Sequence, residues 1–318
     1  MVKTLLGVAV LMATVTAPAA AQSDTVVHDL AVTAAEQQAV RDYWTPERIA
    51  TLEVGPTTPG HPPVDGPDGS SVATGTEVER TVGRLFFVDR GEDSSCTTTL
   101  VTSANLATAV TGGHCVHGRD LIGNDPQWMT KMFFVPGFRD NTRPFGDYVV
   151  RSAVVDRHWV DDDQRSEYDQ AFLVLNGKPG QGQLIAFGLP GGLPATELGY
   201  PRAAKKDGHH GRLEFTGMHV ARCWGTPKEN KGNDEIPAHA GQWGIPCDMG
   251  GGSSGGPRLA LFDDKTGRGT VVGVNTQGWY LDDAGRICAD QSKCTRHLLG
   301  PQFTAKITAP LYARAAAA

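Results

Sequence analysis

Cys247-Asp-Met-Gly-Gly-Gly-Ser-Ser-Gly-Gly-Pro257 decides how this chain is read. It sets one serine, Ser254, in a glycine-rich turn whose backbone N–H groups can converge on one point. A serine hydroxyl is a weak nucleophile. It needs a base within hydrogen-bond reach and donors aimed at the oxyanion that develops on its target. The N–H groups of Gly252 and Ser254 are the natural donors. Upstream, Thr111-Gly-Gly-His-Cys-Val116 offers an imidazole, His114, after the strand-like run Leu106–Thr111. Between them, Tyr168-Asp-Gln-Ala-Phe-Leu-Val-Leu175 puts Asp169 at the head of an apolar strand, where a partly buried carboxylate can fix an imidazole tautomer.

Competing residues read less well. His117 lacks the strand context of His114, and Asp161-Asp162-Asp163 reads as a solvated turn. His209-His210 near Asp207 reads as a surface loop, so no metal is assigned. No cofactor is expected.

The chain has 318 residues, 40% apolar and 20% charged, enough for a large core. A net charge of −6 supplies no basic stripe to neutralise phosphates, which excludes a nucleic-acid binder. Arg202, Lys205 and Lys206 form only a small local patch. The N-terminus reads as a secretory signal over residues 1–21: Lys3, the apolar run Leu5–Ala17, then Ala19-Ala-Ala21, with Gln22 as the new terminus. No later segment approaches a membrane span, so a secreted protein without membrane attachment is expected, acting as a monomer. Six cysteines suit that compartment, and local pairing gives Cys96–Cys115, Cys223–Cys247 and Cys288–Cys294.

Residues 22–80 read as a pro-segment and linker. Thr33-Ala-Ala-Glu36 is a capping box, Thr45-Pro-Glu-Arg48 starts a second short helix, and residues 55–69 are too rich in Pro and Gly to build a core. Everything before about residue 80 is expected to be separable from the body. From Thr81 onward, short runs rich in Val, Thr and Phe alternate with turn residues: Val82–Val88, Cys96–Val101, Met132–Val135, Tyr148–Val155, Ala171–Leu175, Arg212–Met218 and Gly269–Asn275. This spacing predicts an all-β barrel or sandwich. A helix is expected within residues 295–318.

At these motifs the chain resembles the trypsin-like, chymotrypsin-fold serine peptidases, most closely their secreted bacterial branch. Cys96-Thr-Thr-Thr-Leu-Val-Thr-Ser matches the strand before the catalytic histidine. Thr111-Gly-Gly-His-Cys115 is similar to Thr-Ala-Ala-His-Cys, and Gly252-Ser-Ser-Gly-Gly-Pro257 to Gly-Asp-Ser-Gly-Gly-Pro. The order His, Asp, Ser is also that family's. The resemblance implies two Greek-key six-stranded β-barrels, over residues 81–180 and 181–300, with the site in the cleft between them and a tail over residues 301–318. It implies a polypeptide substrate cut through an acyl-enzyme without a cofactor. Gly273-Val-Asn-Thr-Gln-Gly278 looks like the strand lining the specificity pocket, which makes Asn275, Thr276 and Gln277 candidate substrate contacts.

Three departures stand out. Ser253 precedes the nucleophile where animal zymogens carry an aspartate that pairs with a newly cut N-terminus, although Arg80-Thr81 offers a processing point. Gly112-Gly113 replaces two alanines, which is expected to loosen the loop bearing His114. Cys247 lies seven residues before Ser254 rather than four, which shifts the pocket alignment around Asp248, an acid that would favour Arg or Lys side chains. Asn275 stands where glutamate-specific relatives often carry histidine, which argues against acid specificity.

Two other readings compete. Gly252-x-Ser254-x-Gly256 fits the nucleophile elbow of an α/β-hydrolase esterase, but only His297 follows the serine and parallel βαβ units are missing. A non-catalytic binding protein on a protease scaffold would not need all three residues.

Overall fold

The computed structural model describes residues 24–52, 69–120, 123–162, 165–203, 211–212, 214–233, 235 and 239–318. The expected signal segment, most of the Pro/Gly linker, Asp163 and residues 205–210 lie outside the described residues.

The first half contains β1 (Thr25–Asp29), α1 (Ala34–Tyr43), α2 (Pro46–Thr51), β2 (Ser70–Ser71), α3 (Glu77–Thr81), β3 (Val82–Asp89), β4 (Glu92–Leu100), β5 (Thr108–Thr111), β6 (His117–Gly118), β7 (Gln127–Trp128), β8 (Thr130–Pro136), β9 (Tyr148–Asp156), α4 (Arg157–Asp161) and β10 (Ala171–Leu175). The second contains β11 (Leu184–Ile185), β12 (Ala195–Gly199), β13 (Ala221–Gly225), β14 (Lys228–Glu229), β15 (Trp243–Pro246), β16 (Pro257–Asp263), β17 (Arg268–Val274), β18 (Gln277–Leu281), β19 (Thr295–Gly300) and α5 (Thr308–Ala316).

In the first half, β9-β10-β5-β4-β3-β8 closes through β8–β9 pairing into a six-stranded antiparallel barrel. Its strands read as continuous apolar runs because both faces are covered. Successive side chains alternate between faces. Leu85 and Phe87 of β3, Met132 and Phe134 of β8, and Leu173 of β10 join one core around Cys96–Cys115. Phe86 and Val88, Phe133 and Val135, and Phe172 and Val174 point the other way. There they meet the N-terminal helices, α5 and the second half through Trp44, Leu311, Leu198, Tyr200 and Leu259.

The second half, read as the second barrel, has two described sheets, β11-β17-β16-β12-β13-β2 and β14-β15-β19-β18. The chain changes sheets after β17. Asn275 N–H still donates to the Gly256 carbonyl of the first sheet, whereas Thr276 N–H donates to Leu299 of the second. The one parallel pair of named strands is the two-residue β11–β17 contact, so the doubly wound sheet of an α/β-hydrolase is ruled out. Arg212–Met218 is not a strand; its described part turns at Gly217 and bridges only Thr216 to Arg202. Residues 295–300 are β19, and the terminal helix is confined to α5, with Pro310 in its first turn, where its missing N–H costs nothing.

The N-terminal segment does not stand apart as expected. β1 pairs with β9 from Thr25↔Asp156 to Asp29↔Ser152, beyond the stretch of β9 that pairs with β8. The Thr33–Glu36 capping box forms as read, and Thr45 caps α2. Trp44 and Ile49 are fully buried in the barrel's outer core. Trp44 Nε1 donates to the Lys131 carbonyl at 2.6 Å, and Arg48 pairs with Asp93 at 2.7 Å. Burying such side chains contributes about 1.5–3 kcal/mol each. At Arg80-Thr81, Arg80 is exposed, whereas Thr81 ends α3, is 1% exposed and runs straight into β3.

Candidate active site

Strand pairing brings His114 to Asp169. β5 and β10 are antiparallel neighbours in register Thr111↔Ala171. The turn Gly113–Cys115 leaves the end of β5, and the turn Ser166–Tyr168 delivers Asp169 to the start of β10. Cys115 anchors the first turn to β4 through Cys96, as expected. Asp169 Oδ1 accepts the His114 backbone N–H at 2.8 Å. His114 Nδ1 lies 3.0 and 2.9 Å from Asp169 Oδ1 and Oδ2. A carboxylate so placed selects the tautomer with the proton on Nδ1 and leaves the Nε2 lone pair for base chemistry. Burial works against the charged imidazole, but the charge and hydrogen bond of Asp169 outweigh it, so the His114 pKa is raised above its ordinary value. Asp169 is 7% exposed, while the His114 side chain keeps 32% open to solvent.

The serine loop reaches the same place by a few specific contacts from the first barrel. Thr97 of β4 donates its backbone N–H to the Ser254 carbonyl at 2.7 Å. Its Oγ1 donates to the Gly252 carbonyl at 2.8 Å and accepts the Tyr200 N–H at 2.9 Å. Gly255 has φ +77, and a Cβ there would lie 2.0 Å from Thr111 Oγ1 and 2.8 Å from the Gly112 nitrogen. Only glycine fits. The residue after Ser254 therefore touches the strand end that carries His114. Ser254 Oγ makes no hydrogen bond to the imidazole among the described residues, and Nε2 lies 3.7 Å from Cys115 Sγ. The N–H groups of Ser253, Gly255 and Gly256 go to the carbonyls of Gly250, Asn275 and Ser253; those of Gly252 and Ser254 are not among the loop's backbone bonds. Ser253 is 1% exposed and returns its hydroxyl to the Gly250 carbonyl, closing the loop on itself.

The expected substrate contacts separate into different roles. Asn275 is wholly buried, with Nδ2 donating to Leu198 at 2.9 Å and to Ser253 at 3.4 Å. Through these two bonds it braces the serine loop. Thr276 Oγ1 accepts from Gln242 Nε2 at 3.1 Å, and Gln277 Nε2 lies 2.8 Å from His239 Nδ1. Asp248 lies 3.9 Å from Arg212 Nε. Two residues that no motif signalled also stand here. Arg296 donates to the carbonyls of Cys247 and Met249 at 2.6 and 2.9 Å, with its guanidinium against Gly278. His239 feels the Asp169 charge, although burial dominates and lowers its pKa.

Gly112-Gly113 does not loosen the turn. The indole of Trp159 fills the space: a Cβ on Gly113 would lie 2.9 Å from its Nε1. The other two expected disulfides also form, Cys223–Cys247 and Cys288–Cys294. Cys96, His114 and Cys115 are the one close group of potential metal donors among the described residues, but both sulfurs are spent in a disulfide and are not thiolate ligands.

Among solved structures, the chain is similar to the protease Anisep from Arthrobacter nicotinovorans, at 27% identity and a TM-score of 0.59, over 76% of this chain and 99% of that one. The thermostable serine protease AL20 from an extremophilic microorganism matches with the same identity, TM-score and coverage. A Glu endopeptidase shares the fold at 21% identity and a TM-score of 0.55, over 80% of this chain and 100% of that one. No protein-family model and no curated protein matches the chain. The fold and over a quarter of the aligned residues are thus those of bacterial serine proteases.

Proposed function

We propose that this chain, a serine-type peptidase of the chymotrypsin fold, cuts polypeptides as an endopeptidase through an acyl-enzyme. Ser254 is the nucleophile, His114 the base and then acid, and Asp169 the group that orients the imidazole. The observation that carries this is the buried Asp169 carboxylate on His114 Nδ1 at 2.9 Å, beside a glycine loop packed against Gly112. Ser254 Oγ attacks the scissile carbonyl as its proton passes to His114 Nε2. The oxyanion accepts hydrogen bonds from the N–H groups of Gly252 and Ser254, each worth on the order of 3 kcal/mol. The C–N bond then breaks as Nε2 protonates the leaving amine. Water attacks the ester, gives its proton to Nε2, and the acid product leaves as Ser254 regains its proton. The Ser254–His114 hydrogen bond forms when substrate binds and expels water from the cleft.

All of these groups come from one chain, so a monomer suffices. The three disulfides suit export to an oxidising compartment, with residues 1–21 as the signal. No described helix is long and apolar enough to cross a membrane. The secreted chain begins near Gln22 and keeps residues 24–52 as a fixed part of the barrel, since losing Trp44 and Ile49 with them would uncover the apolar face that they cover, Phe86 included.

A fluorophosphonate should label the wild-type protein at Ser254 and leave Ser254→Ala unlabelled. Equal labelling of both overturns the assignment. A folded protein inert to the probe and to casein would instead indicate a binding role on this scaffold. Intact mass of the secreted form should place its start near residue 22; a start at or beyond residue 81 defeats the retained segment.

A further inference from the structure

We infer that α4 is a bracket for the dyad and that Trp159 is a positioning residue for His114; this rests on the catalytic reading above. The helix follows β9 directly. Asp156 caps it by accepting the His158 N–H at 2.9 Å. Its side chains reach both turns of the dyad. Trp159, 3% exposed, donates Nε1–H to the His117 carbonyl at 3.0 Å, on the far side of the His114 turn. Its ring lies flush against Gly113, where an added Cβ would come 2.9 Å from Nε1 and 3.0 Å from Cε2. The same Cβ would meet the Gln170 nitrogen at 3.0 Å, so indole, His114 turn and the residue after Asp169 share one contact. On the other side, His158 stacks on Tyr168, the residue before Asp169, with ring centroids 4.7 Å apart. His158 Nδ1 is held by Asp156 at 2.7 Å.

One short element thus touches the residue before His114 and the residue before Asp169. Neither contact involves the reacting atoms, so its part in the reaction is placement. Displacing a catalytic group by about 1 Å can cost roughly 100-fold. The glycine at 113 and the tryptophan at 159 are two sides of one fit: the indole takes the volume that an alanine side chain would fill.

The test uses the full-length secreted protein, probed with a fluorophosphonate and a peptide substrate. Trp159→Leu and Gly113→Ala should each slow labelling and lower kcat by roughly 10–100-fold, with KM changed less than about twofold. Trp159→Phe, which keeps a ring and loses one N–H donor, should cost about fivefold. Gly113→Ala combined with Trp159→Leu should recover much of the Gly113→Ala loss, since the shorter side chain makes room for the new methyl. The proton on His114 Nδ1, observed by NMR in the wild type, should shift in Trp159→Leu. If folded Trp159→Leu labels at the wild-type rate with that resonance unmoved, the bracket is overturned and Trp159 serves stability alone. If the wild type is not labelled at Ser254 yet the resonance still moves, the bracket stands and the catalytic reading falls.

Discussion

The two halves of the site are built on different scales. His114 and Asp169 meet because β5 and β10 are paired inside a closed barrel, so their distance is set by a ladder of strands. Ser254 sits on a loop between β15 and β16, and its place depends on single groups: Thr97, Asn275 and a glycine at 255. The first arrangement spreads its support over many residues; the second concentrates it in three. Substitutions in the barrel core are therefore expected to act through stability, and those at the serine loop, like those at the α4 bracket, through rate.

The largest expected effects remove the groups themselves. Ser254→Ala should lower kcat by roughly 10⁶-fold with an unchanged Tm. Asp169→Asn should lose roughly 10⁴-fold, because the amide favours the wrong imidazole tautomer. Rates within tenfold of wild type for either would dissolve the division into halves. Next, Trp44→Ala on the barrel side should destabilise by about 3–5 kcal/mol in urea titration while the folded fraction keeps its kcat. A rate loss with unchanged stability would reverse the comparison. On the serine side, Thr97→Val keeps shape and removes two hydrogen bonds, at a cost of about 1–3 kcal/mol shared between loop and transition state. It should reduce kcat by roughly tenfold, measured with a peptide substrate; an effect on Tm alone would show the loop to be as robust as the dyad. The smallest effect is on pH. His114 must be neutral to act as base and its pKa is raised, so kcat/KM should fall with acid through a midpoint above the ordinary imidazole range. The sign for stability is opposite: the His114–Asp169 pair stabilises most below that range and loses its contribution as pH rises through the raised pKa. A midpoint below the ordinary value would mean that burial, and not Asp169, governs the ring.

The legible parts of the sequence were those whose meaning is local. The glycine loop at Ser254, the histidine beside a cysteine and the acid before an apolar strand each carry their chemistry in a few consecutive residues. The capping box at Thr33–Glu36 was equally local and formed as read. What escaped notice depends on distant partners. Thr25–Asp29 is a five-residue strand whose identity comes from β9, more than a hundred residues away. Gly113 was visible as a departure, but its cause, Trp159, lies forty-six positions on. Asn275 sat inside a motif that suggested substrate contact, and only its neighbours in space reveal a brace. Arg296 had no sequence signal, because its carbonyl partners at Cys247 and Met249 belong to another strand end.

The turn that carries the imidazole is closed by the bond from Cys115 to Cys96. In a reducing cytoplasm that bond does not persist, and the turn loses its covalent tie to β4. Reducing that bond leaves the turn to its noncovalent holds, the Asp169 hydrogen bond and the packing of Trp159.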